Sequence, residues 1–283
     1  MRSPEEVAAA AQLACLLEVS APKPGNVSPA RHFHDTRYED FLVSAVAIGP
    51  ALARAGTRPL GSTIREAVDA TARWTRSNTN LGIVLLLAPL ARAAVRRQGA
   101  LREAVRDVLA ATTVADAAEV YAAIRRARPG GLGAAASEDV AAPPSVTLRA
   151  AMGLAAGRDS VAREYVTDFA ITFEIGAPAL RAAREAGLDW SDAVVEAYVR
   201  LLSAVPDTHI ARKLGRAAAE AVSSGARDVE HAGGVRTEAG RRALAALDAE
   251  LRGPENRLNP GTTADLACAA VFVVILEDGW HHH

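Results

Sequence analysis

Two short runs of apolar residues, 83–91 and 267–276, place the tightest limit on how this chain can fold. Both are too short to span a bilayer, and both read as helices that must be buried on all sides. The rest of the chain is rich in Ala, Leu and Arg, and no alternation typical of strands persists. The sequence therefore predicts an all-α fold, with one compact multi-helix domain over residues 1–280 and buried central helices.

Composition narrows the possible partners. The net charge is −1 and aromatic residues make up 4% of the chain, so bulk binding to nucleic acid or to a membrane surface is not expected. Cys15 and Cys268 lie in apolar helical runs without metal-ligand spacing, which predicts two buried free thiols. The N-terminus does not resemble a signal peptide, and a cytoplasmic location is expected. Residues 281–283 look like the remnant of a purification tag.

Rare polar residues fall in four short stretches of the sequence. Lysine occurs only as Lys23 and Lys213, and asparagine occurs five times. Their stretches are PKPGNV (22–27), SNTNLG (77–82), DTHIARK (207–213) and ENRLNPGTTADL (255–266). For any single stretch, Asn and Gly could simply mark a turn. The four together predict one site built from distant segments.

Two of these stretches precede the apolar helices. A buried helix points its free N–H groups and the positive end of its dipole into the protein, where they can bind phosphate or carboxylate oxygens. Ordinary capping by Thr79, and by Thr262 or Thr263, is the alternative. The candidate ligand-binding residues here are Asn78, Thr79, Asn80 and Gly82, and then Asn259, Gly261, Thr262 and Thr263.

The other two stretches carry the lysines. DTHIARK is predicted to begin a helix that ends near Gly225, with His209, Lys213 and Arg216 on one face. Such a basic face suits a polyphosphate with its Mg²⁺, although a solvated charged face is the alternative. In PKPGNV, the prolines hold Lys23 in a stiff segment. The further binding candidates are Gly25, Asn26, Thr208 and Arg212.

Residues 129–146 form a long stretch of small residues without periodicity. A segment of this kind is typical of a functional lid or of a disordered linker. It contains one acidic pair, Glu138 and Asp139. If it is a lid, Asp139 is expected to approach the ligand or its metal ion.

These stretches resemble the four signature motifs of the triphosphoribosyl-dephospho-CoA synthase family. The resemblance runs from about Leu13 to Leu276 and includes RDSVAREY (158–165). Several positions depart from the family pattern: a family histidine falls on Phe33, and Lys213 stands where arginine is usual. The resemblance implies an all-helical enzyme that transfers the 5-triphosphoribosyl group of ATP to 3′-dephospho-CoA or a related acceptor, releasing adenine.

The expected chemistry needs carboxylates. Asp35, Asp207 and Asp265 are the candidate catalytic residues, and Glu18 joins Asp207 and Asp265 as a candidate ligand of Mg²⁺. Two other functions stay open: a Mg²⁺-dependent hydrolase of a nucleotide or ADP-ribose glycoside, and a helical module that binds a nucleotide without turnover. A homodimer is a possible assembly.

Overall fold

The structure is a computed structural model that describes residues 2–131, 137–253 and 256–280. These residues contain α-helices and no strand, which confirms the predicted fold class. A single continuous hydrophobic core connects the helices. They are α1 (Pro4–Ser20), α2 (Tyr38–Ala53), α3 (Leu60–Thr71), α4 (Leu81–Arg96), α5 (Leu101–Ala110), α6 (Val114–Ala127), α7 (Leu148–Ala155), α8 (Ser160–Val166), α9 (Ala177–Glu185), α10 (Trp190–Ala204), α11 (Thr208–Leu214), α12 (Arg216–His231), α13 (Glu238–Leu251) and α14 (Gly261–Asp278).

The two apolar runs form the central helices. α4 buries 12 of its 16 residues, and α14 buries 13 of its 18 residues. α14 packs against α1, α4, α9 and α10, so it is surrounded by helices as the sequence predicted. Because both helices are covered, their first turns lie inside the protein. This arrangement places the polar stretches that precede them next to each other.

A close contact between α3 and α6 shapes one side of the future site. The Gly61 N–H donates to Asp116 Oδ1 at 2.8 Å. A Cβ on Gly61 would lie 2.5 Å from the Asp116 carbonyl oxygen, so only glycine permits this approach. Asp116 also completes the capping box of α6 with Thr113. The first turns of α3 and α6 are therefore held side by side, and further along the two helices Arg126 lies 3.9 Å from Asp69.

Two predicted helices are interrupted. The helix expected to run through DTHIARK to Gly225 ends at Leu214, because Gly215 adopts a φ of 92° and α12 starts anew. The sequence pattern of 160–175 also predicts one helix, but α8 ends at Val166, and Asp168 and Phe169 after it have positive φ. The buried Glu164 carboxylate then accepts hydrogen bonds from the N–H groups of Ile171 (3.0 Å) and Thr172 (2.7 Å), where helical backbone resumes.

Part of the 129–146 segment lies outside the described residues, namely 132–136. The described part is attached to α6: the Tyr121 hydroxyl donates to the Glu138 carbonyl at 2.8 Å. Glu138 in turn accepts the Ser145 N–H at 3.0 Å, which closes a local loop. Opening and closing of this segment stays a prediction, as does an approach of Asp139 to a ligand. The expected tag remnant, 281–283, also lies outside the described residues.

The two cysteines are free and buried, as predicted. Their sulfur atoms lie 3.8 Å apart, where α1 packs against α14. Among the helices of the described residues, none is long and apolar enough to cross a membrane.

Candidate functional site

Three connected cavities meet where the polar stretches converge. We call the first, of about 1070 Å³, the basic cleft. The second, of about 190 Å³, is the apolar chamber, and the third, of about 110 Å³, is the deep pocket. Asn78 and His209 line all three cavities, and Asp265 lines the chamber and the deep pocket. We call the region around Asn78 and His209, which all three cavities share, the junction. It brings together residues from the stretch before α4, from the start of α11 and from the first turns of α14.

The structure brings most of the predicted site residues to these cavities and leaves five outside them. Lining residues come from all four stretches. They are Glu18, Asn26, Asp35, Asn78, Thr79, Asn80, Gly82, His209, Arg212, Lys213, Asn259, Gly261, Thr262 and Asp265. Behind the walls lie Lys23, Gly25, Asp207, Thr208 and Thr263. The expectation that Lys23, Asn78, Asp207, Lys213 and Asp265 line one cavity is therefore wrong. Lys23 and Asp207 line none of the three cavities, and Lys213 and Asp265 line different cavities that share Asn78.

Lys23 stays behind the wall because its charge is already paired. It is 1% exposed, and its ammonium lies 3.0 Å from Glu18 Oε1. The ammonium also donates to the main-chain carbonyls of Glu18 and Ala21. Burial raises the pKa of the Glu18 carboxyl, and the Lys23 ammonium partly offsets that rise. The ion pair therefore supports the floor of the deep pocket, and Lys23 has no free face for a phosphate.

The rest of the PKPGNV segment is held by other helices. The Gly25 N–H donates to Asp248 Oδ1 at 2.8 Å, from α13. Asn26 Nδ2 donates to the Tyr198 hydroxyl at 2.7 Å, and that hydroxyl donates to the Pro24 carbonyl at 2.9 Å. These contacts fix the loop while Asn26 still lines the deep pocket.

Asp207 links the starts of α11 and α14. Its Oδ1 accepts the Ile210 N–H at 2.9 Å, and its Oδ2 accepts the N–H and the hydroxyl of Thr263, both at 2.8 Å. The Thr208 hydroxyl adds a 3.2 Å bond to the Thr262 hydroxyl. With both oxygens occupied, Asp207 positions the two helices and is not placed to act on a ligand. Asp207 therefore accepts the Thr263 N–H, one of the groups at the start of α14 that were expected to bind an anion.

The start of α4 is more open. Its N-cap, Asn80, makes no capping bond; its Nδ2 donates to the Thr71 hydroxyl at 3.0 Å. Thr79 is paired with Ser44 through their hydroxyls at 2.6 Å, so the alternative of ordinary capping by Thr79 fails. Instead Asn78 Oδ1 accepts the Leu81 N–H at 3.1 Å.

Asp265 faces the junction without a partner. In the part of the chain that the structure describes, no donor or cation bonds to its carboxylate. A Cβ on Gly82 would lie 1.9 Å from Asp265 Oδ2, so the missing side chain creates the space that the carboxylate occupies. Burial raises the pKa of Asp265 well above its usual range, and the carboxylates of Glu18, Asp207 and Asp159 add to this rise. The junction therefore favours a positively charged or electron-poor group beside Asp265.

His209 is neutral at physiological pH. Burial, together with the nearby Lys213 and Arg212, lowers its pKa from 6.5 to about 3. Its ring packs beside Gly261, where a Cβ would lie 3.5 Å from the ring. A neutral imidazole at the junction offers one donor and one acceptor nitrogen to a ligand.

The basic cleft carries positive charge from arginines that lie outside the four polar stretches. Lys213 lies there, but Arg216, predicted to share its face, belongs to α12, is 88% exposed and pairs with Glu220. Ion pairs to Asp69 engage Arg65 and Arg126, whereas Arg76, Arg128 and Lys213 have no ion-pair partner among the described residues. The cleft arginines are Arg65, Arg76, Arg125, Arg126 and Arg128. In an Arg-rich chain, no composition signal distinguishes them.

Asp35 is the acidic residue of that cleft. It is held at the rim, where the Ser77 hydroxyl donates to its carbonyl at 3.0 Å. The side chain of Asp35 is 63% exposed and lies 3.9 Å from His34. The predicted metal set of Glu18, Asp207 and Asp265 needs correction, because no group of three or more candidate metal ligands occurs in the described residues. Glu18 is paired with Lys23, and Asp207 accepts hydrogen bonds at the starts of α11 and α14.

Fold and site together define an all-helical protein with a composite site made of a basic cleft, an apolar chamber and a deep pocket. Over residues 4–283, the chain matches the family model described as ATP:dephospho-CoA triphosphoribosyl transferase, and it belongs to that family. A crystal structure from Archaeoglobus fulgidus, described as a "putative triphosphoribosyl-dephospho-coA synthase", superposes with a TM-score of 0.65 at 30% identity. That similarity covers 85% of this chain and all of the other.

Two bacterial relatives carry the same name, "Probable 2-(5''-triphosphoribosyl)-3'-dephosphocoenzyme-A synthase". The relative from Pseudomonas fluorescens is 32% identical over 142 residues, which is 50% of this chain and 48% of the relative. The relative from Stutzerimonas stutzeri is 36% identical over 105 residues, which is 37% of this chain and 36% of the relative. The chain thus spans about half or less of the length of these curated relatives.

Proposed function

We propose that this chain transfers the 5-triphosphoribosyl group of ATP to a ribose hydroxyl of 3′-dephospho-CoA or a related acceptor, releasing adenine. The main support is the junction itself: a large basic cleft and a small apolar chamber share Asn78 and His209, and the unpartnered Asp265 lines the chamber. Membership of the family supports the same reaction. A cytoplasmic location and a homodimer stay predictions.

The cleft is the proposed site for phosphates. Arg76, Arg128 and Lys213 lack ion-pair partners in the described structure, so they can make charge-assisted hydrogen bonds to phosphate oxygens. The volume of about 1070 Å³ leaves room for the triphosphate of the donor and the diphosphate of the acceptor. Burial lowers the pKa of Lys213, and Arg212 adds to this effect, while Asp35 opposes it. A bound phosphate would favour the charged ammonium.

The deep pocket is the proposed support for the reacting carbon. Substitution at the anomeric carbon passes through a transition state that resembles an oxocarbenium ion, and nearby negative charge stabilises it. Asp265 lines this pocket and can supply that charge, because a positive charge that develops beside it favours its ionised form. Attack from the face opposite adenine would invert the centre and give an α-linkage. Asp35 and Asp265 remain candidates for proton transfer, whereas the occupied oxygens of Asp207 limit it to positioning.

Magnesium is proposed to enter with the nucleotide. Mg²⁺ in nucleotide sites is commonly held by phosphate oxygens, waters and one or two carboxylates, so a preformed cage of three protein ligands is not needed. Asp35 is exposed in the basic cleft and is the carboxylate best placed to meet such an ion. Bound there, the ion would neutralise part of the triphosphate charge.

The test is to incubate the protein with ATP, Mg²⁺ and dephospho-CoA, and to follow adenine by liquid chromatography and the conjugate by mass spectrometry. We expect free adenine that depends on both Mg²⁺ and the acceptor. Adenine without any acceptor would favour the hydrolase, and tight nucleotide binding without adenine would favour the binding module. Formation of ADP, AMP or pyrophosphate in place of adenine would refute the proposal.

A further inference from the structure

The apolar chamber differs in chemistry from the cleft beside it. Its walls come from α4, α6, α7 and α8 and include Leu85, Tyr121, Met152 and Val161. Residues 137–140 cover it, and the Tyr121 hydroxyl attaches this cover to α6. The chamber is therefore a mostly apolar, covered space that opens at the Asn78–His209 junction.

The chamber is poorly suited to phosphate. Arg212 lines it, but its guanidinium is paired with Asp159 at 2.6 Å. The other arginine of the lining, Arg158, lies at the exposed edge. At about 190 Å³, the chamber is also smaller than the range of roughly 300–1,000 Å³ usual for whole drug-sized ligands. It can hold one planar ring system but not a complete nucleotide.

We infer that the apolar chamber binds the purine base of the donor nucleotide, the group that leaves during transfer. This inference rests on the proposed function and assigns a subsite within it. The base is bonded directly to the reacting carbon, so it lies in a space that adjoins Asp265. Of the two cavities that Asp265 lines, the chamber is the larger and the more apolar. A donor with its triphosphate in the basic cleft has its ribose at Asn78 and His209, and its base then enters the chamber.

The acceptor fits the other space. Its diphosphate needs a cationic surface, and its long, uncharged pantetheine arm needs an open one. The basic cleft provides both, while the chamber is covered and lacks a free cation in its interior among the described residues. The chamber therefore determines recognition of the donor, and substitutions in its wall should change the use of ATP without changing the use of the acceptor.

The test fills the chamber from α7. Ala151 lines the chamber and is half-buried, so Ala151→Phe places a ring in the space proposed for the base. We expect the KM for ATP to rise about tenfold or more, because apolar pockets discriminate by roughly this factor or more for small changes in fit. The KM for dephospho-CoA and the inhibition by inorganic triphosphate, which needs only the cleft, should not change.

Ala150→Phe is the matched control. Ala150 is the preceding residue of α7, is exposed and does not line the described cavities, so all three constants should stay at the wild-type values. Circular dichroism checks the fold of both variants. If Ala151→Phe does not fold, Ala155→Leu makes a smaller intrusion into the same wall. A folded variant with an unchanged KM for ATP, or with a raised KM for dephospho-CoA alone, would overturn the inference.

Failure of the proposed function would look different. In that case the wild-type protein releases no adenine with any acceptor, and the kinetic constants cannot be measured. Calorimetric titration with ATP and with inorganic triphosphate then tests the chamber directly. Loss of ATP affinity in Ala151→Phe, with unchanged triphosphate affinity, supports the base subsite, and equal ATP affinity in both proteins rejects it.

Discussion

Replacing Lys23 with methionine should destabilise the protein strongly, and more so at high pH. Lys23 is 1% exposed, and its ammonium lies 3.0 Å from Glu18 Oε1. Methionine keeps a similar length but leaves the buried carboxylate without its cation. Breaking a buried ion pair from one side typically costs about 3–5 kcal/mol. The carbonyls of Glu18 and Ala21 also lose a hydrogen-bond donor, which adds a loss of stability that does not depend on pH.

The sign of the pH dependence follows from Glu18. Its pKa in the folded protein lies above the ordinary value of 4.5, because burial outweighs the opposing effect of Lys23. Without Lys23 the pKa rises further. The contribution of the neutral carboxyl to stability is then complete below 4.5 and is lost as pH rises through the folded pKa. Between those limits, the loss approaches about 1.4 kcal/mol per pH unit.

Urea unfolding followed by circular dichroism should therefore show a gap in stability between wild type and Lys23→Met that widens as pH rises above 4.5, the ordinary pKa of this carboxyl. The control is the double variant Glu18→Gln with Lys23→Met, which removes the stranded charge and should recover stability and flatten the pH profile. A loss below about 1 kcal/mol near neutral pH, or a loss of equal size at both ends of the range, would refute the buried-pair account.

Three further outcomes are expected. Lys213→Ala should weaken ATP binding by about 1.5–3 kcal/mol in calorimetric titration. Arg216→Ala changes a side chain that is 88% exposed and should leave ATP binding unchanged. Equal affinities for wild type and Lys213→Ala would place Lys213 outside the phosphate site. His209→Asn should flatten the dependence of the melting temperature on pH between about pH 7 and about pH 4. The folded pKa of about 3 lies below the ordinary 6.5, so the wild type loses stability as pH falls through this window. An unaltered pH profile in the variant would contradict a buried neutral ring. Gly82→Ala should abolish adenine release while far-UV circular dichroism is retained, because its Cβ would lie 1.9 Å from Asp265 Oδ2; full activity would show that the carboxylate position is not critical.

The sequence predicted the fold closely because helix signals are local. Ser3 and Thr113 cap α1 and α6, as Ser and Thr commonly do at helix starts, and α5 lies over Leu101–Ala110, where the residue pattern favours a helix. Where a predicted helix was interrupted, the cause was a positive backbone φ or a contact with residues elsewhere in the chain. Gly215 ends α11 in a conformation that Leu or Ala would rarely adopt, yet a glycine inside a helical pattern is not a certain stop.

Residue rarity located the site but did not assign roles within it. It pointed correctly to the segments of Asn78, His209 and Asn259, which meet at or beside the junction. It could not show that Lys23 pairs with Glu18, because that contact depends on how the chain turns after α1. It also missed Arg76 and Arg128, since arginine is common in this chain and only their position in the cleft distinguishes them.

The sequence by itself determined the all-helical class, the burial of α4 and α14, and the four segments that form the site. Each of these depends on local pattern: apolar runs, capping residues and clusters of rare polar types. Tertiary structure alone decided which side chains remain free for a ligand. Helix packing commits Lys23 and Asp207 to buried contacts and leaves Asp265 unpartnered at the junction. Burial, charge pairing and cavity shape arise from residues distant in the chain, so no local pattern records them.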